Sequence, residues 1–125
     1  GVKCLVQFEE SFLLVRPAYA HRRYTILGGG VKRNENPKDA AKRELREETG
    51  IMVDTLKWFG EYSQVVEYKN DTVQCYYGLL DNHLFTIDDF EISEAGWFTR
   101  DTLPSDCTAS VKKILQLYDN YKNTT

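Results

Sequence analysis

The feature that most constrains this chain is the 23-residue stretch 29–51, GGVKRNENPKDAAKRELREETGI. It sets a glycine-rich loop directly before a helix and loads one face of that helix with carboxylates. Asn36 is a good N-cap, Pro37 suits the first helical position and Asp39 favours the first turn. The helix runs to about Thr49, and Gly50 supplies the left-handed stop. At about 100° per residue, with Glu44 as zero, Glu48 lies near +40° and Glu47 near −60°. The three carboxylates therefore share one face. Like charges at i,i+3 and i,i+4 each cost a few tenths of a kcal/mol even when exposed. A bound Mg²⁺ or Mn²⁺ reverses that sign, because hard cations take oxygen ligands.

The neighbours of the carboxylates fit the same reading. Arg43 lies beyond Glu47 on the helix, close enough to orient carboxylates through charged hydrogen bonds. Leu45 and Ala41 sit on the other flank, where they pack against a sheet. Ala40 falls among the glutamates and is small enough to leave room for loop, metal or water. The glycines allow backbone to approach this face, so a carbonyl near Gly29 completes a coordination shell. A solvated, charge-laced helix explains the mixed charges but not their spacing. The stretch reads as a metal site.

The rest of the chain bounds the setting. Its 125 residues suit a single domain over 1–125 that buries a core without staples. The chain starts at Gly1 rather than Met, so a trimmed N-terminus is compatible with it. A net charge of −3 offers no basic footprint and argues against nucleic acid as the main partner. Cys4, Cys75 and Cys107 are odd in number and far apart, which speaks against disulfides or zinc and for a reducing cytoplasm. No apolar run reaches membrane-spanning length, and no signal-peptide pattern is visible. Oligomeric state, monomer or homodimer, stays open.

Apolar runs at 3–8 and 12–16 around Glu9 read as a hairpin. A third strand is expected at 24–27, then strands at 51–58, 62–68 and 72–80, with a turn at Asn70-Asp71. Trp97 and Phe98 belong to another strand. Val111, Ile114, Leu115 and Tyr118 recur at helical spacing and predict an amphipathic helix. Trp58 is expected in the core and His21 and His83 on the surface; Tyr24 and Tyr62 could stack on a base, although aromatic residues in short strands usually fill the core. The mixture predicts an α+β fold with helices packed on a mixed sheet.

Gly29, Glu35, Arg43, Glu44, Glu47, Glu48 and Gly50, with apolar Leu45 and Ile51 between them, resemble position for position the box that defines the Nudix hydrolases. The resemblance implies an α/β/α sandwich that cleaves a nucleoside diphosphate derivative by water attack on phosphorus, with Mg²⁺ or Mn²⁺. It implies that Glu47 and Glu48 are metal ligands beside the Gly29 carbonyl, and that Glu44 is a further ligand or the group that orients or deprotonates water. Arg43 would position these carboxylates, and Glu35 would be a structural or outer-metal carboxylate. The family often adds a carboxylate several residues before a tryptophan; Glu91 is favoured here, with Glu94 the runner-up. Leu27 stands where many relatives have proline.

Substrate choice is less legible. The proline beyond the box that marks ADP-ribose hydrolases is missing. Tyr68 lies near the tyrosine position of dinucleoside polyphosphate hydrolases, although a core or cross-strand role is the simpler reading of it. Arg22 and Arg23 could reach substrate phosphates or be ordinary loop charges. A small-molecule nucleotide is the expected partner. The alternative function is a Nudix-fold module that binds such a nucleotide without cleaving it.

Overall fold

The computed structural model describes residues 1–19 and 22–124; His21 lies outside them. Strands β1 (Val2–Phe8) and β2 (Ser11–Pro17) form the expected hairpin, turning through Glu9 at a left-handed φ of 53°. They pair only at the closed end, Gln7 with Phe12 and Phe8 with Ser11. Beyond it they splay, and the chain leading to the glycines fills the wedge. Thr25 exchanges both backbone bonds with Val15, and the Leu27 carbonyl accepts the Cys4 amide. Strand β3 (Gly28–Gly29) then pairs with Lys3 and Val2. The expected strand at 24–27 is corrected accordingly. Its residues make single bridges, Thr25 to Val15 and Tyr24 to Cys107, because they cross between two diverging strands.

Helix α1 (Pro37–Thr49) has the expected ends: the Asn36 side chain accepts the Asp39 amide, and Gly50 stops it at φ 72°. Residues 51–56 form a connection rather than the start of a strand. Strands β4 (Lys57–Val66) and β5 (Lys69–Leu80) make a long hairpin. Its turn is at Glu67 and Tyr68, both left-handed, and not at Asn70-Asp71. That two-residue turn matches the twist of the strands. It also keeps Tyr62, Val73 and Cys75 facing the same core, a requirement on register that outweighs the local Asn-Asp turn signal. Asn70 and Asp71 instead pair with Val65 and Gln64.

β5 runs parallel to β1, and β6 (Ile92–Phe98) lies antiparallel to β2, giving a mixed sheet in the order β4-β5-β1-β2-β6 with β3 beside β1. Side chains alternate between its faces. Val2, Cys4, Val6, Leu13 and Val15 meet Ala40, Ala41 and Leu45 of α1. Leu5, Phe12, Leu14, Phe59 and Cys75 meet Val111, Ile114, Leu115 and Tyr118 of α2 (Ala109–Asn123) on the opposite face. The result is the expected α/β/α sandwich. Tyr24 and Tyr62 pack against the α2 face as expected. Trp58 is corrected: it is 48% exposed on the edge strand, and its Nε1 donates to Gln74. Ala40 of α1 is fully buried in the core that also holds Leu27 from the chain leading to the glycines. No helix among the described residues is long and apolar enough to cross a membrane.

Candidate active site

The glycine loop, α1 and the chain entering β6 meet at one end of the sheet. Close approach explains the glycines. A Cβ on Gly28 would stand 2.1 Å from the Val2 carbonyl oxygen, and one on Gly29 would stand 2.5 Å from Glu44 Oε1. The loop backbone therefore lies directly against the carboxylate face of α1.

Arg43 organises that face. Its guanidinium holds Glu35 through two bonds, Nε to Oε2 at 2.8 Å and Nη2 to Oε1 at 3.0 Å. Nη1 donates to Glu44 Oε1 at 3.0 Å and lies 3.5 Å from Glu47, while Nη2 also reaches the Gly30 carbonyl at 3.0 Å. Such forked pairing fixes orientation as well as charge. Glu35 takes a further bond from the Lys32 amide, and the Arg43 bonds chiefly hold its carboxyl down to about 2. Glu35 is thus tied to Arg43 and to the backbone of the loop.

Glu48 is the opposite case. Its Oε2 is buried without a hydrogen-bond partner among the described residues. Burial above all, and then the charges of Glu44, Glu91 and Glu47, push its carboxyl up to about 8, with Lys3 acting the other way. Burial likewise raises Glu44, against the pull of Arg43. A carboxylate left in this state calls for a positive partner.

Glu91 reaches the cluster through the loop before β6. The Asp88 amide bonds the Glu48 carbonyl and the Thr86 amide bonds the Thr49 carbonyl, capping the open end of α1 with that loop. Glu94 goes elsewhere. It shares the α2-facing side of β6 with Phe98, accepts the Tyr24 hydroxyl at 2.7 Å and lies 3.9 Å from Arg16. Glu91 lies in the turn before β6 and Glu94 inside the strand beyond a register shift at Arg16-Pro17, a separation that residue spacing before Trp97 does not show.

The substrate candidates are more scattered. Arg23 donates to the Cys107 carbonyl at the approach to α2, and Arg22 is exposed with φ 56°. Neither is among the charges acting on Glu48. Tyr68 is fully exposed at the tip of the β4–β5 hairpin, which rules out its core or cross-strand role. Its neighbours Glu67, Lys69 and Asn70 wall a cleft of about 660 Å³ whose other side is the glycine loop. One residue escaped the sequence reading. Lys3 lines this cleft, and burial pushes its ammonium below the ordinary lysine value. A lysine inside the apolar run Val2–Phe8 was the available signal.

The carboxylate oxygens of this face, among them the orphaned buried oxygen of Glu48, suit a hard divalent cation. Among the described residues, no three His, Cys, Asp or Glu side chains converge as they stand on a single point. The Glu44 carboxylate is turned toward Arg43.

An α/β/α sandwich of this topology, carrying a glycine loop over a glutamate-lined helix, is the architecture of the Nudix class. The chain belongs to the NUDIX domain family, whose model matches residues 1–118. It is 33% identical over 104 residues to the NAD-capped RNA hydrolase NudC of Mycobacterium tuberculosis, covering 81% of this chain and 33% of that protein. To NudC of Vibrio vulnificus it is 32% identical over 102 residues, covering 79% and 38%. The chain thus spans about a third of the length of the curated relatives it matches. Among solved structures it resembles the MutT NUDIX hydrolase of Burkholderia pseudomallei, with TM-score 0.79 and 18% identity over 94% of this chain and 98% of that one. It also resembles the NUDIX domain of Shewanella oneidensis NrtR, a structure complexed with ADP ribose, with TM-score 0.81 and 14% identity over 99% and 86%. These two likenesses concern the fold.

Proposed function

We propose that this domain is a metal-dependent pyrophosphohydrolase that cleaves the diphosphate linkage of a nucleoside diphosphate derivative by water attack on phosphorus. The observation that carries this is the buried Glu48 Oε2, without a hydrogen-bond partner among the described residues and set among the charges of Glu44, Glu47 and Glu91, with Glu44 directly against the Gly29 backbone. Glu47, Glu48 and the Gly29 carbonyl would hold Mg²⁺ or Mn²⁺, with Glu44 as a further ligand or the group that orients water. When bound, the ion neutralises diphosphate charge and lowers the pKa of water.

The chain's own residues account for the remaining requirements. Arg43 holds Glu44 in place and ties α1 to the loop at Gly30. Glu91 adds a carboxylate from the far side, where it can take a proton from water or bind an outer ion. The cleft between the glycine loop and the β4–β5 tip would receive the substrate, and Tyr68, exposed in the turn between two residues that line it, is a candidate for base stacking. Arg22 and Arg23 are candidate contacts for the distal part of the substrate. The names of the relatives favour dinucleotides joined through a pyrophosphate, as in NAD. The net charge of −3 favours the free nucleotide over an RNA body. Three unpaired cysteines, two of them buried, suit a reducing compartment such as the cytoplasm.

The test is Mg²⁺- or Mn²⁺-dependent turnover across NAD, ADP-ribose, dinucleoside polyphosphates and nucleoside triphosphates. Turnover of at least one, lost in Glu48→Gln, supports the proposal. Binding without turnover by any of them makes the domain a nucleotide sensor instead.

A further inference from the structure

Lys3 lies outside the box and is tied to the loop that carries Gly29. It opposes Gly28 in the β1–β3 ladder, and its Nζ turns back to donate to the Ile26 carbonyl at 2.7 Å and to Thr25 Oγ1 at 3.3 Å. Its stem lies under the loop: a Cβ on Gly28 would meet Lys3 Cα and Cδ at 3.0 Å. The next residue, Cys4, bonds the Leu27 carbonyl at 2.9 Å. From the other side, the Thr108 hydroxyl at the start of α2 donates to the same Thr25 Oγ1 at 3.1 Å.

A methionine would fill this space as well without the cost of desolvating an ammonium. What the ammonium adds is a charged, directional tether on the two residues that precede Leu27-Gly28-Gly29. Because Gly29 already touches the Glu44 carboxylate, a small shift in the height of the loop changes the position of its carbonyl relative to the helix face.

We propose that Lys3 is a positioning residue for the cation-binding face, holding the Gly29 carbonyl in register with Glu44, Glu47 and Glu48 through its bonds to Ile26 and Thr25. This rests on the assignment of Gly29, Glu47 and Glu48 as cation ligands.

Mn²⁺ titration of the metal-free protein, followed by electron paramagnetic resonance of the free ion, tests both statements separately. Lys3→Met is expected to bind Mn²⁺ about tenfold more weakly than the wild type, while its metal-free melting temperature moves by less than about 5 °C. Lys3→Arg, which keeps a cationic donor, is expected to stay within about threefold of the wild type. Equal affinity of Lys3→Met and wild type overturns the role of Lys3 alone. Absence of Mn²⁺ binding by the wild type overturns the cation assignment and this proposal with it. Should Lys3→Met not fold, Thr25→Val takes its place. Removing that acceptor is expected to weaken Mn²⁺ binding about tenfold, and unchanged affinity overturns the proposal.

Discussion

Replacing Glu48 by glutamine should make the metal-free protein more stable and the metal-loaded protein no better. In the fold the Glu48 carboxyl is pushed from its ordinary 4.5 up to about 8, chiefly by burial. Below the lower value both folded and unfolded chains carry the proton, and Glu48 costs nothing. As pH rises between the two values, the unfolded chain ionises and the folded one resists, so stability is lost. Each pH unit in that window costs about 1.4 kcal/mol, about 5 kcal/mol in all for a fully enclosed group. Glu48 is only partly enclosed, and solvent access reduces this to about 2 kcal/mol. Glutamine keeps the shape and carries no charge. At about pH 8.5 metal-free Glu48→Gln should therefore melt roughly 6–10 °C above the wild type, the gap closing as pH approaches 5. Saturating Mn²⁺ should reverse the order, since only the wild type gains the stabilisation of a ligand bound to the folded state. Calorimetry at two pH values, with Mn²⁺ and with chelator, reads all four states. A glutamine variant no more stable than wild type at high pH without metal refutes the burial argument. An equal Mn²⁺ shift in both refutes the assignment of Glu48 as a ligand.

Three further outcomes follow from the same geometry. The glycines should separate by position: Gly28→Ala, driven into the Val2 carbonyl, should cost about 3 kcal/mol in denaturant unfolding. Gly29→Ala should mainly displace the Glu44 carboxylate and lower kcat, whereas Gly30→Ala, with nothing within 4 Å, should leave both unchanged. Glu91→Gln should lower kcat about tenfold or more, while Glu94→Gln, whose partners are Tyr24 and Arg16, should leave kcat unchanged. Arg43→Lys cannot make the fork to Glu35 together with the Glu44 and Gly30 bonds, so kcat should fall about a hundredfold with KM little changed.

The box was legible because its signals are local. Asn36 and Gly50 cap the helix by their own side chain and backbone, and the glutamate face follows from helical pitch. Arg43 could be named as an orienter because it lies on the same helix. What escaped depended on distant pairing. The wedge between β1 and β2 takes residues 24–29, and nothing in that segment announces that its neighbours diverge. The Glu67-Tyr68 turn is set by which side chains of β4 and β5 must face α2, so the stronger local signal at Asn70-Asp71 was overridden. Distance from Trp97 favoured Glu91 over Glu94 without giving the reason: Glu91 lies in the turn before β6, among the charges acting on Glu48, whereas Glu94 lies within the strand and bonds Tyr24. Lys3 gave only the oddity of a charge in an apolar strand, and its partners lie more than twenty residues away.

The most direct test of the central claim is the product pattern from NAD and ADP-ribose incubated with the protein and Mg²⁺ or Mn²⁺, resolved by phosphorus NMR. The account predicts loss of the diphosphate resonances and appearance of two monophosphates per linkage cleaved, with no reaction in chelator or in Glu48→Gln. Diphosphate that stays intact while the nucleotide binds, or cleavage that persists undiminished in Glu48→Gln, would contradict it.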